Sequence, residues 1–148
     1  MPRFKTLAVL CWAILLAGAQ GIEVGFIRNS SEFDGAGCSL WMPSDRTQSD
    51  KRYIFVSDFR ETATMNINRR DVHLVQVHGT EWKAETKKGD HLRFSYRGDG
   101  VEAAVDYVVA SVCAPDDESC EVIRVNATIT VTQGSSKRLV AAQGLCGS

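Results

Sequence analysis

Alternation of apolar and polar residues with period two predicts an all-β fold: a single-domain antiparallel β-sandwich or small β-barrel of about eight strands, stapled by two disulfides. Three observations carry this expectation. Apolar residues recur at every second position in several stretches. Turn-forming clusters separate those stretches at short intervals. An even number of cysteines remains once an N-terminal leader is set aside. No long helical period, internal repeat or low-complexity tract interrupts the pattern.

The leader is the first element. The chain opens MPRFKTLAVLCWAILLAGAQG, with Arg3 and Lys5 ahead of the apolar run Leu7 to Leu16 and small residues at Ala17 and Ala19. This pattern predicts a signal peptide over residues 1–19 and a secreted or periplasmic β domain over residues 20–148. The apolar run is too short to cross a bilayer of roughly 30 Å, and no second apolar stretch follows, so no integral membrane segment is expected after signal removal. Cys11 lies inside the apolar run behind Leu10, not behind a small residue at its end. It is read as part of the leader and not as a lipid-attachment site.

The remaining length suits one domain. With 44% hydrophobic and 24% charged residues the composition is globular, which excludes collagen-like, coiled-coil and disordered classes. Lys+Arg 17 against Asp+Glu 18 leaves no basic field for phosphate neutralisation, so no nucleic-acid partner is expected.

The strands follow in order. Ile22 to Ile27, Cys38 to Met42 and Tyr53 to Val56 are short extended runs. Ala63, Met65 and Ile67 then alternate with Thr64, Asn66 and Asn68, and Val72 to Val77 continues the series. Leu92, Phe94 and Tyr96 face away from Arg93, Ser95 and Arg97, and Ile123, Val125, Ala127, Ile129 and Val131 alternate with polar partners. Such strands have one dry and one wet face. Val101 to Val112 is apolar on both faces apart from Glu102, Asp106 and Ser111, which predicts a central strand covered on both sides. Asp106 would there require a partner or a locally exposed position. Lys137 to Ala142 is the last predicted strand. Arg28 to Gly37 and Pro43 to Lys51 are the two long non-periodic pieces, rich in Ser, Asp, Asn and Gly.

Cys38, Cys113, Cys120 and Cys146 follow the leader, and four cysteines allow three pairings. Their spacings lack the close ligand pairs of a zinc site. Cys113 ends one strand and Cys120 begins the next, so a hairpin would bring them together at the loop neck. That leaves Cys38–Cys146 to tie the first core strand to the last.

Candidate chemistry is sparse. His73 and His78 lie an odd number of residues apart on one strand and so point to opposite faces, and no nucleophile motif such as G-x-S-x-G is present. No metal ligand set and no cofactor is expected. Asn29 and Asn126 match the glycosylation acceptor pattern. Asp116, Asp117 and Glu118, with Glu121 beyond, lack the alternating ligands and turn glycine of a calcium loop.

The run Val112-Cys113-Ala114-Pro115-Asp116-Asp117-Glu118-Ser119-Cys120 resembles the disulfide-pinned loop of the vertebrate-lysozyme inhibitors of the bacterial periplasm. Those inhibitors carry a Cys-x-Pro opening and a protruding loop that enters the lysozyme cleft. The loop here is two residues longer, with Asp116 or Asp117 where the family inserts a histidine. The resemblance implies a protein inhibitor and covers these nine residues. The expectation is a small non-enzymatic binding domain presenting Pro115, Asp116, Asp117 and Glu118 on a rigid loop to a basic protein partner. The alternative is a small secreted hydrolase using carboxylates in the loops Arg28 to Gly37 and Pro43 to Lys51.

Overall fold

The computed structural model describes residues 21–29, 36–45, 52–59, 61–83 and 85–147, so the leader lies outside the described residues. Among the described residues nine strands run in chain order: β1 (Val24–Gly25), β2 (Gly37–Trp41), β3 (Tyr53–Asp58), β4 (Thr62–Ile67), β5 (Arg70–Gly79), β6 (His91–Gly98), β7 (Val101–Ser111), β8 (Val122–Gln133) and β9 (Ser136–Gly147). From β2 to β9 each strand pairs antiparallel with its neighbours in sequence, and β9 returns to pair with β2. The result is a closed eight-strand up-and-down barrel plus one extra strand. Closure leaves these eight strands without the free edges an open sheet would expose. β1 adds to β4 at Val24↔Ile67, beyond the stretch that β3 occupies.

The alternation becomes the barrel's inside and outside. Val101, Ala103, Val105, Tyr107 and Val109 of β7 point inward beside Val125, Ala127, Ile129 and Val131 of β8. Leu92, Phe94 and Tyr96 of β6 and Val72 and Leu74 of β5 join them in one apolar cluster. An eight-strand barrel has an interior that side chains can fill.

One expectation is corrected. β7 is not covered on both sides: its outer face carries Ala104, Val108 and Ala110, all half-exposed, together with Asp106. Asp106 stands on that outer face, 3.5 Å from Arg93. The strands buried on both faces are β3 and β4, where Ile54, Phe55, Val56 and Ser57 are all buried, as are Thr64 and Asn66 between Ala63, Met65 and Ile67. Small apolar residues on an outer wall mimic a covered strand in sequence.

Both disulfides form as the hairpin argument requires. Cys38–Cys146 crosses the β2–β9 seam, where the two residues are direct partners with Cα atoms 4.1 Å apart. Cys113–Cys120 spans 5.6 Å at the neck of the β7–β8 connection. β9 reaches Gly147, five residues past its predicted end, because pairing with β2 holds Gln143 to Gly147 although Gly144 breaks the apolar alternation. A Cβ at Gly144 would lie 2.0 Å from the Ser39 carbonyl oxygen, so the seam closes only because glycine stands there.

Candidate binding site at the long-loop end of the barrel

Connections leave the barrel at two ends. At one end the turns Asn68-Arg69, Asp99-Gly100 and Gly134-Ser135 each have two residues, and Asn68, Arg69, Asp99, Gly100 and Gly134 all have positive φ. These are the backbone angles of the mirror-image turns that suit twisted hairpins. The β2–β3 connection, 42–52, belongs to the same end. At the opposite end emerge the β3–β4 turn (59–61), the β5–β6 connection (80–90) and the pinned β7–β8 loop (112–121), beside Gly37 and Gly147.

Trp82 organises this second end. Its ring stacks on Phe94 at 6.0 Å and meets Tyr107 edge-on at 5.9 Å and Phe59 at 6.5 Å. Phe94 and Tyr107 touch edge-on at 5.8 Å beneath it. Trp82 thus caps the barrel interior with one side while its other side lines the surface. Phe59 remains 47% exposed beside the Trp82 ring. A cleft of about 380 Å³ opens between Phe59, Trp82, Phe94 and Tyr96, rimmed by Asp58, Glu61 and Glu81. A second cleft of about 310 Å³ lies on the other side of Phe59 and Trp82, reaching Val112, Cys113, Glu121 and Cys146. The two hollows therefore join the aromatic cap to the base of the pinned loop.

Glu61 sits in the left-handed region at φ 77, and its carbonyl accepts a 2.7 Å hydrogen bond from the Gln76 amide. That bond fixes a strained residue at the cleft rim. Asp58 accepts from the Thr62 amide at 2.8 Å and from its hydroxyl at 2.9 Å, which shapes the same turn. Below the cleft, burial pushes the Tyr96 phenol up to about 12, with the charge of Asp58 adding to it and the Ser57 hydroxyl offsetting part. Tyr107 is fully enclosed, and burial raises its phenol further, aided by Tyr96. The Ser57 hydroxyl acts in the opposite sense there too, yet Tyr107 Oη has no partner in hydrogen-bond geometry.

The predicted loop residues stand together at the tip. Pro115, Asp116, Asp117 and Glu118 are all exposed. Asp117 is tied inward: its Oδ1 accepts from the Ser119 hydroxyl at 2.6 Å and the Ser119 amide at 3.1 Å, while its own amide donates to the Ala114 carbonyl. Cys120 donates to the Asp117 carbonyl at 3.2 Å. Asp117 thus shapes the loop, and Asp116 and Glu118 are its outward charges.

Other singled-out residues disperse. His73 Nδ1 lies 3.1 Å from the Thr64 hydroxyl on the barrel wall. Among the described residues no group of three His, Cys, Asp or Glu side chains is placed to hold a metal ion. Of the carboxylates in the two long loops, Glu32, Asp34 and Asp50 lie outside the described residues, and Asp45 pairs with Arg52 at 3.8 Å. Asn126 is exposed on the outer face of β8.

Sequence reading missed Phe59 and Trp82, although Glu81-Trp82-Lys83 carried a signal: a large aromatic between charges in a non-periodic segment. It also missed Asp71, whose carboxylate accepts from Asn66 at 2.7 Å and from the amides of Arg28 and Asn29 at 3.0 and 3.2 Å. Desolvation pushes Asp71 up, but these hydrogen bonds and the Arg28 charge outweigh it and hold the carboxyl below its ordinary value. No family model, curated protein or solved structure matches the chain.

Proposed function

We propose that this protein is a non-enzymatic binding domain, secreted or periplasmic, that recognises a basic protein through the long-loop end of its barrel. The supporting observation is charge segregation. Among the described residues of 58–61, 80–90 and 112–121 there are nine acidic residues against three basic ones, a surplus of six negative charges. Among the described residues of the connections 42–52, 68–69, 99–100 and 134–135 there are two acidic against two basic, which balance. A face with a net negative surplus sets up a field that steers an oppositely charged partner and orients its approach. The disulfide and Pro115 limit the freedom of the loop, so less conformational entropy is lost on association. Two disulfides fit an oxidising compartment.

A basic animal-type lysozyme is the first probe, in line with the loop resemblance, set against a neutral protein of similar size. Calorimetric titration is expected to show binding of the basic protein that weakens with added salt as the field is screened. Asp116→Ala/Glu118→Ala is expected to weaken binding at least tenfold with the melting temperature unchanged. Binding that ignores both salt and this double variant would overturn the proposal.

A further inference from the structure

We propose that the cleft between Phe59, Trp82, Phe94 and Tyr96 is a binding site for an organic cation, with a quaternary ammonium group preferred over a primary one. The inference concerns the aromatic cleft of the same barrel end, beside the pinned loop, and stands whether or not that loop holds a protein partner. Aromatic rings supply the walls and floor, and Trp82 and Phe94 stack nearly parallel, 18° apart, which makes a firm aromatic wall. Ring faces carry negative charge density and attract a cation seated over them, with tryptophan the strongest of the three ring types. The carboxylates Asp58, Glu61 and Glu81 stand around the opening, and among the described residues no basic side chain lines this cleft. The ligand therefore meets a negative field at the mouth and ring faces inside.

The same arrangement selects the kind of cation. A primary ammonium brings three N–H donors that need acceptors when buried. Here Glu61 and Glu81 are exposed at the rim, Asp58 is already engaged by Thr62 and the Thr80 hydroxyl by the Arg93 backbone, which leaves the Gln76 carboxamide oxygen as a neutral acceptor for three donors. A quaternary ammonium has no such donors, is weakly hydrated and presents an apolar shell to the rings. A volume of about 380 Å³ accommodates a trimethylammonium head with a short tail. The head could belong to a free small molecule or to a methylated lysine of a larger one.

The test compares choline with its neutral isostere 3,3-dimethylbutan-1-ol on the oxidised protein, followed by the Trp82 indole N–H signal in NMR. Choline is expected to shift that signal saturably and to bind at least tenfold more tightly than the isostere. Glu61→Gln/Glu81→Gln changes only exposed rim residues and is expected to weaken choline while leaving the isostere unaffected; Trp82→Leu, followed by titration calorimetry because the indole reporter is gone, is expected to abolish both. A short trimethyl-lysine peptide binding more tightly than choline assigns the head to a larger molecule, and the reverse assigns it to a free one. Equal affinity for choline and isostere, or no saturable shift with either, would overturn the proposal even if lysozyme binding at the loop held.

Discussion

The two ends of the barrel are built from the same eight strands and differ in almost every physical respect. At the tight-turn end, three hairpins reverse in two residues each, using positive φ at Asn68, Arg69, Asp99, Gly100 and Gly134. Charges there are engaged locally. Arg52 stacks over Phe26 at 4.3 Å and pairs with Asp45, and Arg69 lies 3.6 Å from Glu23. The β2–β3 connection, 42–52, also leaves from that end, whereas at the long-loop end two of the three hairpin connections run to ten residues or more, an aromatic cap covers the interior, and carboxylates stand in surplus. Short mirror-image turns satisfy the geometry of twisted strands with little surface to spare. Long connections need their own internal ties, and here these are Trp82 packing, the Asp117–Ser119 bonds and the Cys113–Cys120 disulfide. One end closes the fold in tight hairpins, and the other carries the proposed recognition surface.

The two disulfides sharpen that division. Cys38–Cys146 has a sequence separation of 108 and joins the first and last strands of the closed barrel. Its removal by Cys38→Ser/Cys146→Ser is expected to cost about 5 kcal/mol in the chain-entropy account. That is comparable to the whole stability of a small domain, so global unfolding by denaturant should shift strongly. Cys113→Ser/Cys120→Ser opens a loop with a separation of only 7 and is expected to cost about 2.5 kcal/mol. The barrel should survive this second change with its far-ultraviolet dichroism intact, while binding of the basic partner is lost. If the loop variant destabilised more than the seam variant, the division of labour between them would be wrong.

The phenols beneath the aromatic cap test how tightly the long-loop end is sealed. Tyr96 has its folded value raised above that of the unfolded chain, so the unfolded state loses its proton first as pH rises. Its contribution is fully present below about pH 10 and is lost between about 10 and 12, amounting to roughly 2 to 3 kcal/mol. Tyr107 shifts in the same direction and adds to the alkaline loss. Denaturant midpoints measured across that window should fall, and Tyr96→Phe/Tyr107→Phe should flatten the fall. At neutral pH, Tyr107→Phe alone is expected to be neutral or to stabilise by up to about 1 kcal/mol, because it removes a buried hydroxyl without a hydrogen-bond partner. A loss above 2 kcal/mol on thermal unfolding would mean that the hydroxyl is bonded after all.

The smallest effect is expected on the barrel wall between the ends. Asp106→Ala removes an exposed ion pair with Arg93 and is expected to change stability by less than about 0.5 kcal/mol. Asp106 drew attention because its strand reads as buried throughout, and a near-neutral result by chemical denaturation would confirm its place on the outside. A cost of several kcal/mol would require a covering layer over β7.

The sequence by itself determined the strands, most of their inward residues, the tight turns and both disulfide pairings. These are local properties: period-two alternation follows from the pleat, turn residues from their own φ preferences, and the Cys113–Cys120 pairing from adjacency in a hairpin. It also placed Pro115, Asp116, Asp117 and Glu118 together, since they are contiguous. Only the tertiary structure decided between sandwich and barrel, because that choice depends on whether β9 pairs with β2, a contact between chain segments about a hundred residues apart. Closure also decided which strands are covered on both faces, correcting β7 in favour of β3 and β4. The candidate cleft was invisible for the same reason. Phe59, Trp82, Phe94 and Tyr96 come from a turn, a long connection and a strand, and nothing in their spacing records that barrel closure brings those three to one end.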